Sequence, residues 1–317
     1  VITRRQVLAA SAGALAAGSA RGDRRASAQQ IPPGRILFVR NGDVWVWSLG
    51  GSEALLEDGQ ASDPRWSPDG TQMLFVRAGE GFSDLWLRTV GDGSEVRLTA
   101  NEPAGVAPGS AEYAASAAWV DDPCWSTSGR IAFASDAGMT DRVMALWLME
   151  SSSAQPALAP ARIAEDHISA ISVDAAGTFA AYTARYTGRD GGFHTYVGLR
   201  DLATGETWSL SSDDEGAFDP AIPPEGRLVV FAARINGVSD LWLFDLDAGD
   251  RARITDQQNA LKPIWSPDGT WLAYLRMVDR GFEAWAMPLV DGEAGAPVRL
   301  FAFDDIDATS GLAWTYL

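Results

Sequence analysis

Pro64-Arg65-Trp66-Ser67-Pro68-Asp69-Gly70 returns almost unchanged as Pro263-Ile264-Trp265-Ser266-Pro267-Asp268-Gly269. A worn copy reads Pro123-Cys124-Trp125-Ser126-Thr127-Ser128-Gly129. Two more decayed copies are Pro220-Ala221-Ile222-Pro223-Pro224-Glu225-Gly226 and Ile171-Ser172-Val173-Asp174-Ala175-Ala176-Gly177. Self-similarity of this kind marks a solenoid or a propeller, and it settles the architecture before any single element does.

Working outward from the first copy, one complete unit runs from Asp63 to Thr99. Its expected strands are 64–67, 73–77, 84–88 and 95–99. The turns between them are marked by Pro68-Asp69-Gly70, Gly79–Gly81 and Gly91-Asp92-Gly93. Four short strands with tight turns, repeating at a period of roughly 40–50 residues, describe a β-propeller blade. The second strand of every unit carries an aromatic: Phe38, Phe75, Phe133, Tyr182, Phe231 and Tyr274. The third carries Trp45, Trp86, Trp147, Trp242 and Trp285, with Gly198 as the one departure. First-strand positions read Trp66, Trp125, Val173, Ile222, Trp265 and Trp314. Alternation along a strand sends such side chains to the blade-to-blade interface, so packing explains these rings better than ligand stacking does.

The two ends complete each other. The first unit lacks an inner strand, and Leu312-Ala313-Trp314-Thr315-Tyr316 is an inner strand with no blade after it. Pairing that segment with Ile36–Arg40 gives an all-β fold: a six-bladed β-propeller of four-stranded antiparallel blades. The C-terminal strand joins the N-terminal blade and leaves no exposed seam.

Trp-Ser-Pro-Asp-Gly, then Ser83-Asp84-Leu85-Trp86-Leu87, then Arg97-Leu98-Thr99 resemble the TolB-type propeller repeat. Similar repeats occur in the propellers of prolyl-oligopeptidase-like and tricorn-type proteases. The resemblance covers residue 31 to the end. It implies the fold and leaves the function open, because such repeats serve unrelated roles. Two departures stand out. There is no room before the propeller for the α/β domain of TolB, and the Gly-x-Ser-x-Gly elbow of the peptidases is absent. A propeller alone is expected, over residues 29–317.

Residues 1–28 read as an export leader. Thr3-Arg4-Arg5-Gln6-Val7-Leu8 precedes a modest Ala- and Gly-rich run to Ala20, and Ala26-Ser27-Ala28 offers a cleavage site. The pattern resembles twin-arginine signal peptides, which implies a periplasmic or extracellular destination. The net charge is −17. An excess of this sign excludes nucleic acid and disfavours anionic lipid. No stable membrane insertion is expected, because no later segment is long and apolar enough. A monomer without cofactor is expected.

Catalytic signatures are poor. His167 and His194 are the only histidines and Cys124 the only cysteine. Neither zinc spacing nor a calcium loop is present, so no metal site is expected. One constellation remains. The residues before the first-strand prolines and their equivalents are Asp63, Asp122, Ala170, Asp219, Lys262 and Gly311. Inner strands surround the axis of a propeller, so these six form a ring at one mouth of the channel. They either cap strand ends around water or hold a ligand. The longer connections, Ala100–Asp121 above all, open on that same face. The candidate ligand-binding residues are therefore Asp63, Asp122, Asp219 and Lys262, with Tyr113, Trp119 and His194 at the rim. The expected partner is a protein segment or an extracellular glycan, bound without catalysis. A lyase or glycosidase acting on polysaccharide is the alternative, and a structural scaffold a third.

Overall fold

The computed structural model describes residues 34–139, 142–150, 159–161, 167–212, 216–256 and 258–316. The expected leader lies outside them. Six antiparallel sheets follow one another around an axis. The second blade shows the plan: Ala61–Trp66 innermost, then Gln72–Ala78, Ser83–Thr89 and Glu95–Arg97 at the rim. The sixth has Val298–Phe303 as its outer strand, with the two-residue ribbon Glu293–Ala294 as an addition.

The ring closes as the sequence demands. Ala313–Thr315 pairs with Arg35–Arg40, setting Ile36 opposite Trp314 and Leu37 opposite Ala313. The seam is reinforced beyond that ladder. Arg40 forms an ion pair of 2.7 Å with Asp305 and stacks over Trp45 and Phe303.

Each pair of neighbouring blades encloses its own core, six in all among the described residues. Alternation along the second strand feeds two cores at once. In the first blade Ile36 and Phe38 face the sixth blade, while Leu37 and Val39 face the second. The repeated aromatics are direct cross-strand partners: Phe38 with Trp45, Phe75 with Trp86, Phe133 with Trp147, Phe231 with Trp242, Tyr274 with Trp285. The departure at Gly198 has a physical cause. It stands opposite Tyr182, whose ring fills the missing indole's place; a Cβ on Gly198 would come within 2.4 Å of that ring.

The Ser-Pro-Asp-Gly turns are structural, as their composition indicates. Asp69 Oδ1 accepts from Ser67 Oγ (2.6 Å) and from the Thr71 amide and hydroxyl, while Gly70 supplies a φ of +67°. Asp268 repeats the arrangement with Ser266 and Thr270.

Two second-to-third-strand connections are tight hairpins, with only 188–192 and 279–280 outside the strands. Phe179–Thr187 pairs with Phe193–Asp201, and Trp271–Val278 with Gly281–Val290, almost to the hairpin tips. Backbone groups at these positions found ladder partners that a reading of turn residues does not reveal.

Candidate functional site

The inner strands of blades two to six each contain an irregularity at the same place. The register slips between Ser62 and Arg65, Asp121 and Cys124, Ser169 and Ser172, Phe218 and Ala221, and Leu261 and Ile264. The residue inside each slip is left-handed: φ is 49° at Asp63, 48° at Asp122, 49° at Ala170, 53° at Asp219 and 51° at Lys262. Gly311 supplies the sixth, at 66°. These are the six ring positions expected from the repeat. A non-glycine residue seldom adopts this conformation, and here it aims a side chain that strict alternation would send elsewhere.

The ring is not at a mouth. Inner strands start upstream of the prolines, as Ala61–Trp66 shows, so the six residues form a waist within the channel. On the long-loop side lies a compartment of about 570 Å³ whose lining includes Asp63, Asp121, Asp122, Trp119 and Lys262. On the short-turn side lies one of about 310 Å³ whose lining includes Asp122, Asp219 and Lys262, with Pro68 and Pro267 among its turn residues.

Charges at the waist are arranged pairwise around the circle. Lys262 Nζ lies 3.2 Å from Asp219 Oδ1, and its backbone amide donates to Asp219 Oδ2 at 3.3 Å. Burial opposes the charge on Lys262. The carboxylates of Asp219, Asp122 and Asp63 outweigh it and hold the lysine pKa above its usual value. Asp122 Oδ2 accepts from the Ala170 amide at 2.6 Å, again bridging to the next blade.

Asp63 faces Asp121 instead of a donor. Oxygens of the two carboxyls lie within 4.8 Å of each other, and so close an approach favours a proton on one of them. Desolvation first, then the charge of Asp122, raises the pKa of Asp63. Although Asp121 opens onto the channel, desolvation of its carboxyl and the charges of Asp122 and Asp63 push it up to about 9. Oxygens of Asp63, Asp121 and Asp122 lie within 4.8 Å of one another. This is the donor chemistry of a hard divalent cation, although that proton would first have to leave. No spacing motif announces the set, because its members come from two blades.

The rim residues separate. Trp119, 43 % exposed, lines the long-loop compartment. Tyr113 sits on the short helix Ala111–Ser116, capped by Ser110, and is buried. His194 stacks on Tyr186 at 5.5 Å and lies 3.1 Å from Asp190 at a hairpin tip, in the lining of neither compartment. Asp121 and Arg65 were not singled out from the sequence. The doubled acid Asp121-Asp122 was the available signal for the first, and the difference between Arg65 and Ile264 in the two best repeat copies for the second. Cys124 is buried, and desolvation pushes its thiol up to about 12, so it is a poor nucleophile.

Comparison with known proteins agrees with the architecture. Residues 41–118 match the family model described as the dipeptidyl peptidase IV N-terminal region. The chain is 25 % identical over 203 residues to an uncharacterized peptidase of Bacillus subtilis, YuxL, covering 62 % of this chain and 26 % of that protein. It thus spans about a quarter of the length of that curated relative. Among solved structures, TolB from Acinetobacter baumannii superposes with a TM-score of 0.63 at 16 % identity, over 89 % of this chain and 66 % of that one. A putative TolB from Agrobacterium tumefaciens does so with 0.58 at 18 % identity, over 85 % and 88 %. At these identities the likeness establishes a β-propeller of the TolB type as the fold. Among the described residues, no helix is long and apolar enough to cross a membrane.

Proposed function

We propose that this chain is an exported, non-enzymatic propeller. It holds a protein segment or an extracellular ligand in the long-loop mouth of its channel, against the waist of Asp63, Asp122, Asp219 and Lys262. One observation carries the reading: a compartment of about 570 Å³ is lined at its inner end by Asp63, Asp122 and Lys262, three charged side chains held in left-handed backbone. Strained backbone and concentrated charge are retained where a site needs them. Trp119 offers an exposed indole at the edge. Export rests on the leader pattern at Thr3–Leu8 and Ala26–Ala28.

The experiment is affinity capture of extracellular proteins and glycans on the purified protein, followed by titration of whatever is retained. The control is the double variant Asp63→Asn, Asp122→Asn. It leaves the Asp219–Lys262 pair intact, because breaking a buried pair from one side costs about 3–5 kcal/mol and would confuse unfolding with lost binding. Capture by the unaltered chain and at least tenfold weaker capture by the folded double variant is the expected result. Equal capture by both removes the waist from the site.

The polysaccharide-enzyme alternative finds one favourable feature, a carboxyl of raised pKa at Asp121. The crowding of the carboxyls around it speaks against a glycosidase and leaves a lyase untouched. Asp63, Asp121 and Asp122 crowd within 4.8 Å, whereas hydrolases of glycosides keep their two carboxyls about 5–5.5 Å or about 6.5–9.5 Å apart. A screen of polysaccharides with Asp122→Asn as control decides the matter; turnover that this variant abolishes would favour the enzyme.

A further inference from the structure

We propose that the second compartment, between the waist and the short-turn mouth, is a binding site for an apolar carboxylate anchored by Arg65. This inference goes beyond the long-loop reading and does not depend on it.

Two residues after each waist position, the six blades present Arg65, Cys124, Ser172, Ala221, Ile264 and Ala313, and all six line this compartment. Five are small or apolar and uncharged. The fold therefore places no demand for a cation here. The chain supplies its own control: the two best copies of the repeat differ at this one position, Arg65 against Ile264. An arginine at a place where the scaffold accepts isoleucine points to a ligand.

The guanidinium is held and aimed. Arg65 is half-buried, and its Nη1 donates to the carbonyls of Pro64 and Ser310, each at 3.0 Å. No carboxylate lies within ion-pair distance of it among the described residues. Two neutral carbonyls fix the side chain without neutralising it, and an arginine has five donors to place. The other cation of the compartment, Lys262, is matched by Asp219, while Asp122 is engaged with the Ala170 amide. Arg65, whose charge is also felt by Asp63 at the waist, is thus the cation of the compartment that has no carboxylate in direct contact among the described residues.

The walls define the rest of the ligand. Trp66, Trp125, Trp265 and Trp314 line the compartment together with Ile222 and Ile264. A volume of about 310 Å³ accepts an aromatic or branched apolar group. A planar carboxylate suits the fork of a guanidinium. A multiply charged anion such as phosphate suits the site badly, because Asp122 and Asp219 also line it and repel the added charge. Two sources present the same chemistry: a small aromatic acid, or the free carboxyl end of a peptide with an apolar last residue.

The test is titration of the full chain, followed by tryptophan fluorescence and calorimetry. The probes are indole-3-propionate and a pentapeptide ending in phenylalanine, the latter with a free or an amidated terminus. Saturable binding of either carboxylate is expected, with the amide at least tenfold weaker. Binding of the small acid alone assigns a free metabolite-sized ligand, and binding of the peptide alone assigns a chain end. Arg65→Ile, the substitution the sixth blade already contains, is expected to keep the melting temperature and abolish binding of both. Equal affinity for amide and carboxylate, undiminished binding by Arg65→Ile, displacement by inorganic phosphate at equal concentration, or no saturation by either probe at millimolar concentration would each overturn the proposal. The amide comparison uses the unaltered protein, so it stands even if the variant does not fold.

Discussion

Lys262 and Asp219 show how much a single buried charge depends on its neighbour. The pair is 3.2 Å apart and mostly removed from solvent. Lys262→Met leaves Asp219 buried without its counter-charge, and should lower unfolding free energy by about 3 kcal/mol. Lys262→Met combined with Asp219→Asn should recover most of that loss. Denaturant titration of the two single variants and the double closes the cycle; additive losses would mean that the two groups do not interact. Asp63 and Asp121 make the opposite case. Their carboxyls hold a proton more tightly in the folded chain than a free carboxyl does. The native state then binds more protons than the unfolded one, so this contribution is full below the ordinary carboxyl pKa of about 4 and is lost as pH rises through the raised value. Asp121→Asn should flatten the decline of melting temperature between neutral and mildly alkaline pH. A variant whose melting profile parallels the unaltered chain would show that no proton is held there.

Within one blade, the informative positions are those that break the repeat. Gly198 is legible in the sequence as a missing tryptophan, but its reason is tertiary: Tyr182 occupies the space. Gly198→Ala must displace that ring and should cost about 1–3 kcal/mol, measured by chemical denaturation. A neutral Gly198→Ala would mean that Tyr182 moves freely, against its complete burial in the core of the third and fourth blades. Ala170 tests the inner-strand irregularity itself. It holds a φ of 49° with no polar side chain to compensate. Ala170→Gly relieves that strain and should be neutral or mildly stabilising, whereas Ala170→Val should lose about 1–2 kcal/mol. The repeat located all six waist positions. It gave no hint of the left-handed turn, since at four of the six a following proline leads one to expect extended backbone there.

Across the whole molecule, stability resides in closure. Leu312, Ala313 and Trp314 are buried between the first blade and its neighbours. Removing residues 312–317 would open the first blade, expose both flanking cores and leave Arg35–Arg40 as an unpaired edge. The loss should exceed the ~3–5 kcal/mol of a single buried tryptophan, and calorimetry of the truncated chain should show a lower, broader transition. Two-state melting at an unchanged temperature would mean that the ring does not need its latch. The channel follows from the same closure, because it exists only where six inner strands face one another.

Sequence alone determined the number of blades, the strand that closes them, the cross-strand aromatic pairs and the identity of the waist residues. Each of these is a periodic property, and periodicity survives in one dimension because every blade solves the same packing problem. Tertiary structure decided what those residues meet. It set the waist inside the channel instead of at its mouth, brought Asp121 to Asp63 across two blades, buried Tyr113, held His194 away from both compartments and placed Arg65 in one compartment with four tryptophans. Contacts across an axis depend on curvature and on the direction of each side chain. Residues from different blades are separated by dozens of positions along the chain, so no local pattern records their meeting.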